Sequence, residues 1–311
     1  MKLAFVFPGQ GSQAIGMMSG FAGHPVVRET FAEASAALGD DLWKLVEEGP
    51  AEALNLTTNT QPVMLTAGVA VYRAWLASGG AKPVVMAGHS LGEYTALVAA
   101  GALAFGDAVP LVRFRAQAMQ DAVPAGVGAM AAIMGGDDDA VAAACVEAAQ
   151  GQVVEPVNFN APGQIVIAGH REAVERAIAL ARQKGAKRGV LLPVSAPFHS
   201  SLLKPAADKL AVKLAQIAFS APAIPVIHNV DVTEHATPDA IRAALAQQAA
   251  SPVRWTATVR RMTELGVTHV VECGPGRVLA GMNKRIADSI ESFALIDSDA
   301  INETLAALRN A

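Results

Sequence analysis

A serine between two glycines, Ser90, is the residue whose surroundings most clearly predict chemistry. Gly88 and Gly92 flank it in a Gly-x-Ser-x-Gly pattern, after a β-branched apolar stretch and before an apolar, helix-like one. This strand–turn–helix context is typical of a nucleophile elbow, which exposes the serine hydroxyl on a sharp turn. The glycines permit close backbone approach, and the helix start at Leu91 offers free N–H groups to an oxyanion. The pattern without its context would equally fit a surface turn, so the context favours a catalytic serine.

A serine nucleophile needs a general base, and His199 is the best candidate among the seven histidines. It follows Pro197 and Phe198 where the chain returns from a predicted small domain, and domain junctions are preferred places for sites. The alternative is a structural histidine at a helix start. His89 adjoins Ser90, but neighbours on a sharp turn point apart, so we expect it to pack behind the elbow. Since no acid between serine and histidine follows a strand end, a carbonyl oxygen is the expected partner of the histidine.

The guanidinium of Arg115 is the candidate substrate contact. In a helix predicted over residues 107–121, positions three and four away from Arg115 share its face. All of these neighbours are apolar: Leu111, Val112, Ala118 and Met119. A buried guanidinium needs an internal partner or an anionic ligand. If the partner is a ligand, a planar carboxylate bound in bidentate fashion fits best.

A glycine-rich loop, from Pro8 to Gln13, follows the first predicted strand. It lacks the Lys-Ser/Thr pair of a phosphate loop and the spacing of a dinucleotide fingerprint. Two interpretations stay open. The loop is either a plain strand-to-helix turn, or it supplies the amide of Gln10 to an oxyanion hole opposite the amide of Leu91.

The composition of the 311 residues indicates a core-rich globular protein, with 52% hydrophobic and 17% charged residues. The net charge of −4 does not indicate the basic surface that binding nucleic acid requires. No apolar stretch predicts a membrane span, and the short apolar N-terminus ends at Pro8-Gly9, which favours a buried strand over an export signal. The two cysteines show neither a metal-ligand spacing nor a disulfide framework. We therefore expect no metal and a cytoplasmic location.

Strand-like and helix-like segments alternate, which predicts an α/β fold with a mainly parallel sheet. Residues 126–195 read βαββαβ, the ferredoxin-like unit, and we expect them to form a small domain inserted between the two parts of a large one, 1–125 and 196–311. The predicted strands cover 3–7, 84–87, 128–134, 153–160, 164–168, 187–194, 224–229 and 268–272. The predicted helices cover 26–38, 61–77, 107–121, 137–149, 172–183, 240–248, 256–265 and 278–285, besides one that starts at Leu91.

With these residues assembled, the chain resembles the malonyl-CoA:acyl carrier protein transacylases of bacterial fatty acid synthesis over essentially its whole length. The matching segments are Gly9-Gln10-Gly11-Ser12-Gln13, Gly88-His89-Ser90-Leu91-Gly92-Glu93, Arg115 in its helix, Pro156-Val157-Asn158-Phe159-Asn160, Phe198-His199, Asn229-Val230 and Gly274-Pro275-Gly276. The resemblance implies a hydrolase-like α/β domain with a ferredoxin-like insert. It also implies ping-pong transfer of malonyl from malonyl-CoA to the phosphopantetheine thiol of acyl carrier protein.

The resemblance assigns roles to individual residues. Ser90 is the nucleophile and His199 the base, oriented by a backbone carbonyl at a position that matches Gln248. The amides of Gln10 and Leu91 hold the oxyanion. The substrate-binding residues implied are Arg115, Phe198, His89 and Asn160; relatives that select methylmalonyl units tend to have a smaller residue in place of the phenylalanine. The resemblance implies an enzyme that needs no cofactor, and we expect a cytoplasmic monomer that binds neither nucleic acid nor membrane.

Other functions remain open at this point. The same nucleophile could pass its acyl group to water, as in a serine esterase or thioesterase, although Arg115 and the missing triad acid argue against this. The transacylase could serve a polyketide pathway, which no feature of the sequence excludes. A non-catalytic acyl-binding or scaffold protein is the alternative outside enzymes.

Overall fold

A computed structural model describes residues 1–194 and 196–310, which form two β-sheets with helices packed against them. The strands are β1 (Leu3–Phe7), β2 (Val85–Gly88), β3 (Gly128–Met134), β4 (Val154–Ala161), β5 (Gln164–His170), β6 (Arg188–Leu191), β7 (Val226–Ile227), β8 (His269–Cys273) and β9 (Glu291–Leu295). The helices are α1 (Pro25–Leu38), α2 (Leu42–Glu48), α3 (Ala51–Leu54), α4 (Thr57–Ala77), α5 (Gly92–Ala99), α6 (Phe105–Asp121), α7 (Asp138–Ala149), α8 (Arg171–Gln183), α9 (Lys204–Leu214), α10 (Pro238–Gln248), α11 (Trp255–Glu264), α12 (Val278–Ile286) and α13 (Ser298–Arg309).

The larger sheet is parallel, with the strand order β7-β2-β1-β8-β9. Its central strand β1 is buried on both faces, as the apolar run Leu-Ala-Phe-Val-Phe predicts for a sheet covered by helices. Phe5 and Phe7 pack into a core with α4, while Ala4 and Val6 belong to a second core with α11 and α12. The predicted α/β class with a mainly parallel sheet is confirmed.

The smaller sheet is antiparallel, with the order β4-β5-β3-β6. Helices α7 and α8 complete the βαββαβ succession, and their alanines pack closely onto the sheet. This is the predicted ferredoxin-like arrangement. The domain limits 1–125, 126–195 and 196–311 stay predictions, and two of the residues that define them, Ser195 and Ala311, lie outside the described residues.

Several elements differ in extent from the sequence prediction. Strand β6 ends at Leu191 and not at residue 194, since Pro193 has no amide to donate to a ladder. Helix α4 begins at Thr57, one turn before the predicted start. Strand β7 keeps only Val226–Ile227 of the predicted 224–229.

The loops that follow β1, β2 and β7 lie at the carboxyl edge of the parallel sheet, because parallel strands end on the same side. In open α/β sheets this edge is where ligands bind. No helix in the described ranges combines the length and the apolar character that crossing a membrane requires.

Candidate active site

Ser90 lies on the sharp turn between β2 and α5, with a backbone φ of +51°. Both flanking glycines are required there, because the backbone passes too close for a side chain. A Cβ on Gly88 would lie 1.9 Å from the carbonyl carbon of Gly92, and one on Gly92 would lie 2.0 Å from the carbonyl oxygen of Phe7. The turn therefore has the steric character of a nucleophile elbow.

His199 meets Ser90 although the two are far apart in the chain. Its Nε2 lies 2.7 Å from Ser90 Oγ, and its Nδ1 lies 2.9 Å from the carbonyl oxygen of Gln248. Because a carbonyl only accepts, Nδ1 carries the ring hydrogen and Nε2 presents its lone pair to the serine hydroxyl. Burial, together with the positive charge of Arg115, lowers the pKa of His199 to about 3. The ring is therefore neutral and able to accept a proton at neutral pH.

The guanidinium of Arg115 is buried beside this pair, with the residue only 1% exposed. Its Nη1 donates to Gln61 Oε1 at 2.7 Å, and its Nη2 donates to Gln248 Oε1 at 2.9 Å and to Ser90 Oγ at 3.2 Å. The ring of Tyr94 lies 5.3 Å from the guanidinium carbon. The inward orientation predicted from the helical pattern is confirmed.

No carboxylate within the described ranges forms an ion pair with Arg115, and its Nε has no hydrogen-bond partner there. Its direct partners are neutral oxygens of two amides and one hydroxyl. A buried cation without a direct ion pair is costly, and the charge of Glu93 acts on this one only through space. The site is therefore electrostatically prepared for an anion next to the serine hydroxyl.

The first loop packs against the elbow. A Cβ on Gly9 would lie 2.6 Å from the carbonyl oxygen of His89 and 3.7 Å from the amide nitrogen of Leu91. In the described part of the chain, neither the amide of Gln10 nor that of Leu91 donates a hydrogen bond, while the side chain of Gln10 accepts one from Thr57. Two unused amides next to a nucleophile are the composition of an oxyanion hole.

A cavity of about 120 Å³ joins these groups. Residues of the small sheet and of the segment that follows it close one side, so the cavity lies between the two sheets. Its lining comprises Gln10, Gln61, His89, Ser90, Leu91, Arg115, Met119, Met130, Asn158, Leu192, Val194, Phe198 and His199.

Two residues predicted to bind substrate take different positions. His89 lines the cavity, and its Nε2 lies 2.8 Å from Asn160 Oδ1. Asn160 itself does not line the cavity, so its side chain orients His89. Burial lowers the pKa of His89, which keeps this ring neutral too.

Sequence reasoning missed Gln61, Asn158 and the internal contacts of Asn229. Gln61 lies on the buried, mostly apolar face of α4 and is 3% exposed. A polar residue on a buried helix face needs an internal partner, and this signal could have identified it. Asn158 and Asn229 carried no such pattern beyond the matching segments.

Comparisons with known proteins agree with this geometry. The chain matches the family model of the acyl transferase domain over residues 4–306. It is 59% identical over 305 residues to the malonyl CoA-acyl carrier protein transacylase of Escherichia coli (strain K12), covering 98% of this chain and 99% of that protein.

Two solved structures are similar throughout. The acyl-carrier-protein S-malonyltransferase from Burkholderia pseudomallei 1710b is 61% identical, with a TM-score of 0.97 over 98% of this chain and 100% of that one. A malonyl-transacylase solved in a holo complex with its type II PKS acyl-carrier protein is 53% identical, with a TM-score of 0.97 over 100% of both chains.

Proposed function

The chain belongs to the acyl transferase family, and from this premise we propose that it transfers malonyl from malonyl-CoA to the phosphopantetheine thiol of an acyl carrier protein. The intermediate is a malonyl ester of Ser90. The observation that carries the proposal is the placement of one hydroxyl 2.7 Å from a neutral imidazole and 3.2 Å from a buried guanidinium. The first pair supplies a nucleophile, and the second supplies a counter-ion for a carboxylated acyl group.

In the first half-reaction, Ser90 Oγ attacks the thioester carbonyl while its proton moves to His199 Nε2. The amides of Gln10 and Leu91 donate to the oxyanion that forms. When the tetrahedral intermediate collapses, the bond to sulfur breaks and the coenzyme A thiolate takes the proton from His199. The carbonyl of Gln248 holds the Nδ1 hydrogen throughout, so the ring keeps its orientation.

The second half-reaction reverses these steps with a different thiol. The phosphopantetheine thiol gives its proton to His199 and attacks the ester carbonyl. Collapse then breaks the bond to Ser90 Oγ, which recovers the proton from His199. No step requires a metal or a cofactor beyond the prosthetic group of the carrier.

Arg115 selects the acyl group by binding its free carboxylate, with Phe198 and His89 as further walls of the cavity. Binding an anion compensates a charge whose hydrogen-bond acceptors are all neutral, and charge-assisted contacts of this kind are the strong ones. An acetyl group offers no such compensation. We further propose that the protein acts as a monomer. Its free thiols fit a reducing compartment such as the cytoplasm.

Intact-mass analysis tests the proposal. Purified protein is exposed to malonyl-CoA and then to an acyl carrier protein bearing phosphopantetheine. We expect one malonyl group on the protein, which then moves to the carrier. Ser90→Ala should give no adduct, whereas Ser78→Ala, which removes a hydroxyl at the end of α4, should react like the unaltered protein. Release of most of the malonyl to water in the presence of carrier would favour a thioesterase instead.

A second candidate, a malonyl loader for a polyketide pathway, is favoured by one observation. The 53% identical transacylase in complex with a type II PKS acyl-carrier protein is similar over the whole chain. Parallel transfer assays with carriers of fatty acid and polyketide synthesis discriminate the two. We expect the fatty acid carrier to be loaded faster; a clear preference for the polyketide carrier would support the second candidate.

A further inference from the structure

Glu93, in the first turn of α5, is a carboxylate with no exposed surface that lies outside the catalytic cavity. Burying a carboxylate is costly unless its oxygens are fully hydrogen-bonded. Both of its oxygens are satisfied. Oε1 accepts from His228 Nδ1 at 2.7 Å, and Oε2 accepts from the amide nitrogen of Asn229 at 2.8 Å and from Gln248 Nε2 at 3.0 Å. The carboxylate thus joins α5 to two chain segments more than a hundred residues away.

The side chains of Asn229 and Gln248 in turn hold the nucleophile. Asn229 Oδ1 accepts from the amide of Ser90 at 2.8 Å, and Asn229 Nδ2 donates to the carbonyl of Gly88 at 2.7 Å. Gln248 Nε2 also donates to the carbonyl of Ser90 at 2.9 Å. The peptide groups on both sides of Ser90 are therefore fixed by side chains that Glu93 anchors.

This support is needed because the elbow is strained. Only four non-glycine residues in the described ranges have a positive φ, and Ser90 and His199 are two of them. Such a conformation is strained and persists only where the surroundings determine it. Gln248 further accepts from Arg115 through Oε1 and from His199 through its carbonyl. The Glu93 carboxylate is therefore connected to Ser90 through Asn229 and Gln248, and to His199 and Arg115 through Gln248.

We propose that Glu93 is a positioning residue for acyl transfer: its carboxylate holds Asn229 and Gln248, and through them it fixes the backbone of Ser90 and the carbonyl that orients His199. The inference rests on the proposed function, because it concerns the same serine. A misplacement of about 1 Å in a nucleophile costs about 10²-fold in rate. Loss of the anchor should therefore lower the maximal rate of serine acylation and leave malonyl-CoA affinity largely unchanged.

Two substitutions of similar shape at Glu93 distinguish the effect of losing the hydrogen-bond acceptor from the effect of changing the side-chain volume. Glu93→Gln keeps one oxygen that can accept from Asn229 and Gln248, whereas Glu93→Leu fills the space without an acceptor. In rapid-quench measurements of Ser90 acylation, we expect Glu93→Gln to keep its maximal rate within about tenfold and Glu93→Leu to lose about 10²-fold. The half-saturating malonyl-CoA concentration should change little in either variant.

Glu272 supplies the matched control. It is a second carboxylate without exposed surface, on strand β8, and among the described residues its oxygens accept from amides of α12. Glu272→Gln should acylate at the unaltered rate per folded molecule. If Glu93→Leu does not fold, Asn229→Ala removes the link to Ser90 while leaving the carboxylate in place, and it should also lower the maximal rate.

The proposal is overturned if folded Glu93→Leu, or Asn229→Ala in its place, acylates within twofold of the unaltered protein. It is also overturned if the lost activity only follows the folded fraction, or appears in the half-saturating concentration alone. Failure of the proposed function looks different, since the unaltered protein would then form no malonyl adduct at all.

Discussion

Two strand–turn–helix units of the parallel sheet, β2–α5 and β8–α12, have similar outlines and different uses. Each contains a glycine-rich turn and one carboxylate without exposed surface. In the first unit, Glu93 accepts from residues distant in the chain, which also contact the nucleophile. In the second, Glu272 accepts from amides of the adjoining helix at Leu279 and Ala280. Burial alone therefore does not identify a carboxylate that serves chemistry; the location of its partners does.

The largest expected effect concerns His199, the base that contacts the serine of the first unit. His199→Ala should slow acylation of Ser90 by about 10²–10⁴-fold, the usual contribution of a positioned base. Rapid-quench mass analysis with malonyl-CoA measures it. His170→Ala is the control, since that ring accepts from the amide of Val153 in the small sheet. An effect under threefold would mean that the imidazole is not the base.

Arg115→Ala should reduce malonyl transfer by about 10²-fold, because a charge-assisted hydrogen bond is worth about 1.5–3 kcal/mol. Acetyl transfer should be affected less, so the ratio of malonyl to acetyl transfer should fall. Arg113→Ala, on the same helix, is the control, since that guanidinium contacts Asp40 and Asn59 instead. An unchanged ratio would show that the buried cation serves the fold and not the substrate.

In the second unit, substitution of Glu272 should change the free energy of unfolding and not the rate of Ser90 acylation. Burial raises the pKa of Glu272 to about 7, although amides of α12 oppose this. Because the folded pKa exceeds the ordinary value of 4.5, the stability associated with the neutral acid is present below about pH 4.5 and is lost as pH rises through about 7. In Glu272→Gln this loss cannot occur. In urea unfolding, the free energy of unfolding of the variant relative to the unaltered protein should rise by on the order of 3 kcal/mol between pH 4.5 and 8. A pH-independent difference would contradict the assignment.

The smallest expected effect is the pH dependence of acylation itself. Since the pKa of His199 is lowered to about 3, the base of the free enzyme stays neutral from pH 5 upward. The second-order rate constant for Ser90 acylation should therefore be nearly flat from pH 5 to 8. A fall centred near pH 6.5 would mean that His199 keeps an ordinary pKa, and that the burial of the elbow has less effect than we infer.

The sequence predicted features that depend on local patterns. The Gly-x-Ser-x-Gly turn, the inward face of Arg115 and the βαββαβ order could all be read from spacing and periodicity. The missed β9 and α13 lie at the edge of the sheet, where half-exposed residues give no continuous apolar run. The network around Glu93 was not predictable, because its partners lie more than a hundred residues away and no local pattern reports such contacts.

Both cysteines of the chain are buried as free thiols. Burial raises the pKa of Cys145 to about 12 and that of Cys273 well above its ordinary value. Thiolates, and not thiols, capture acyl groups. The two cysteine thiols of this protein are therefore protonated and buried, so they do not compete with the thiol of the carrier for the acyl group. Alkylating reagents that block the carrier's thiol can consequently stop transfer to the carrier. The malonyl ester on Ser90 stays intact, so its amount can be measured.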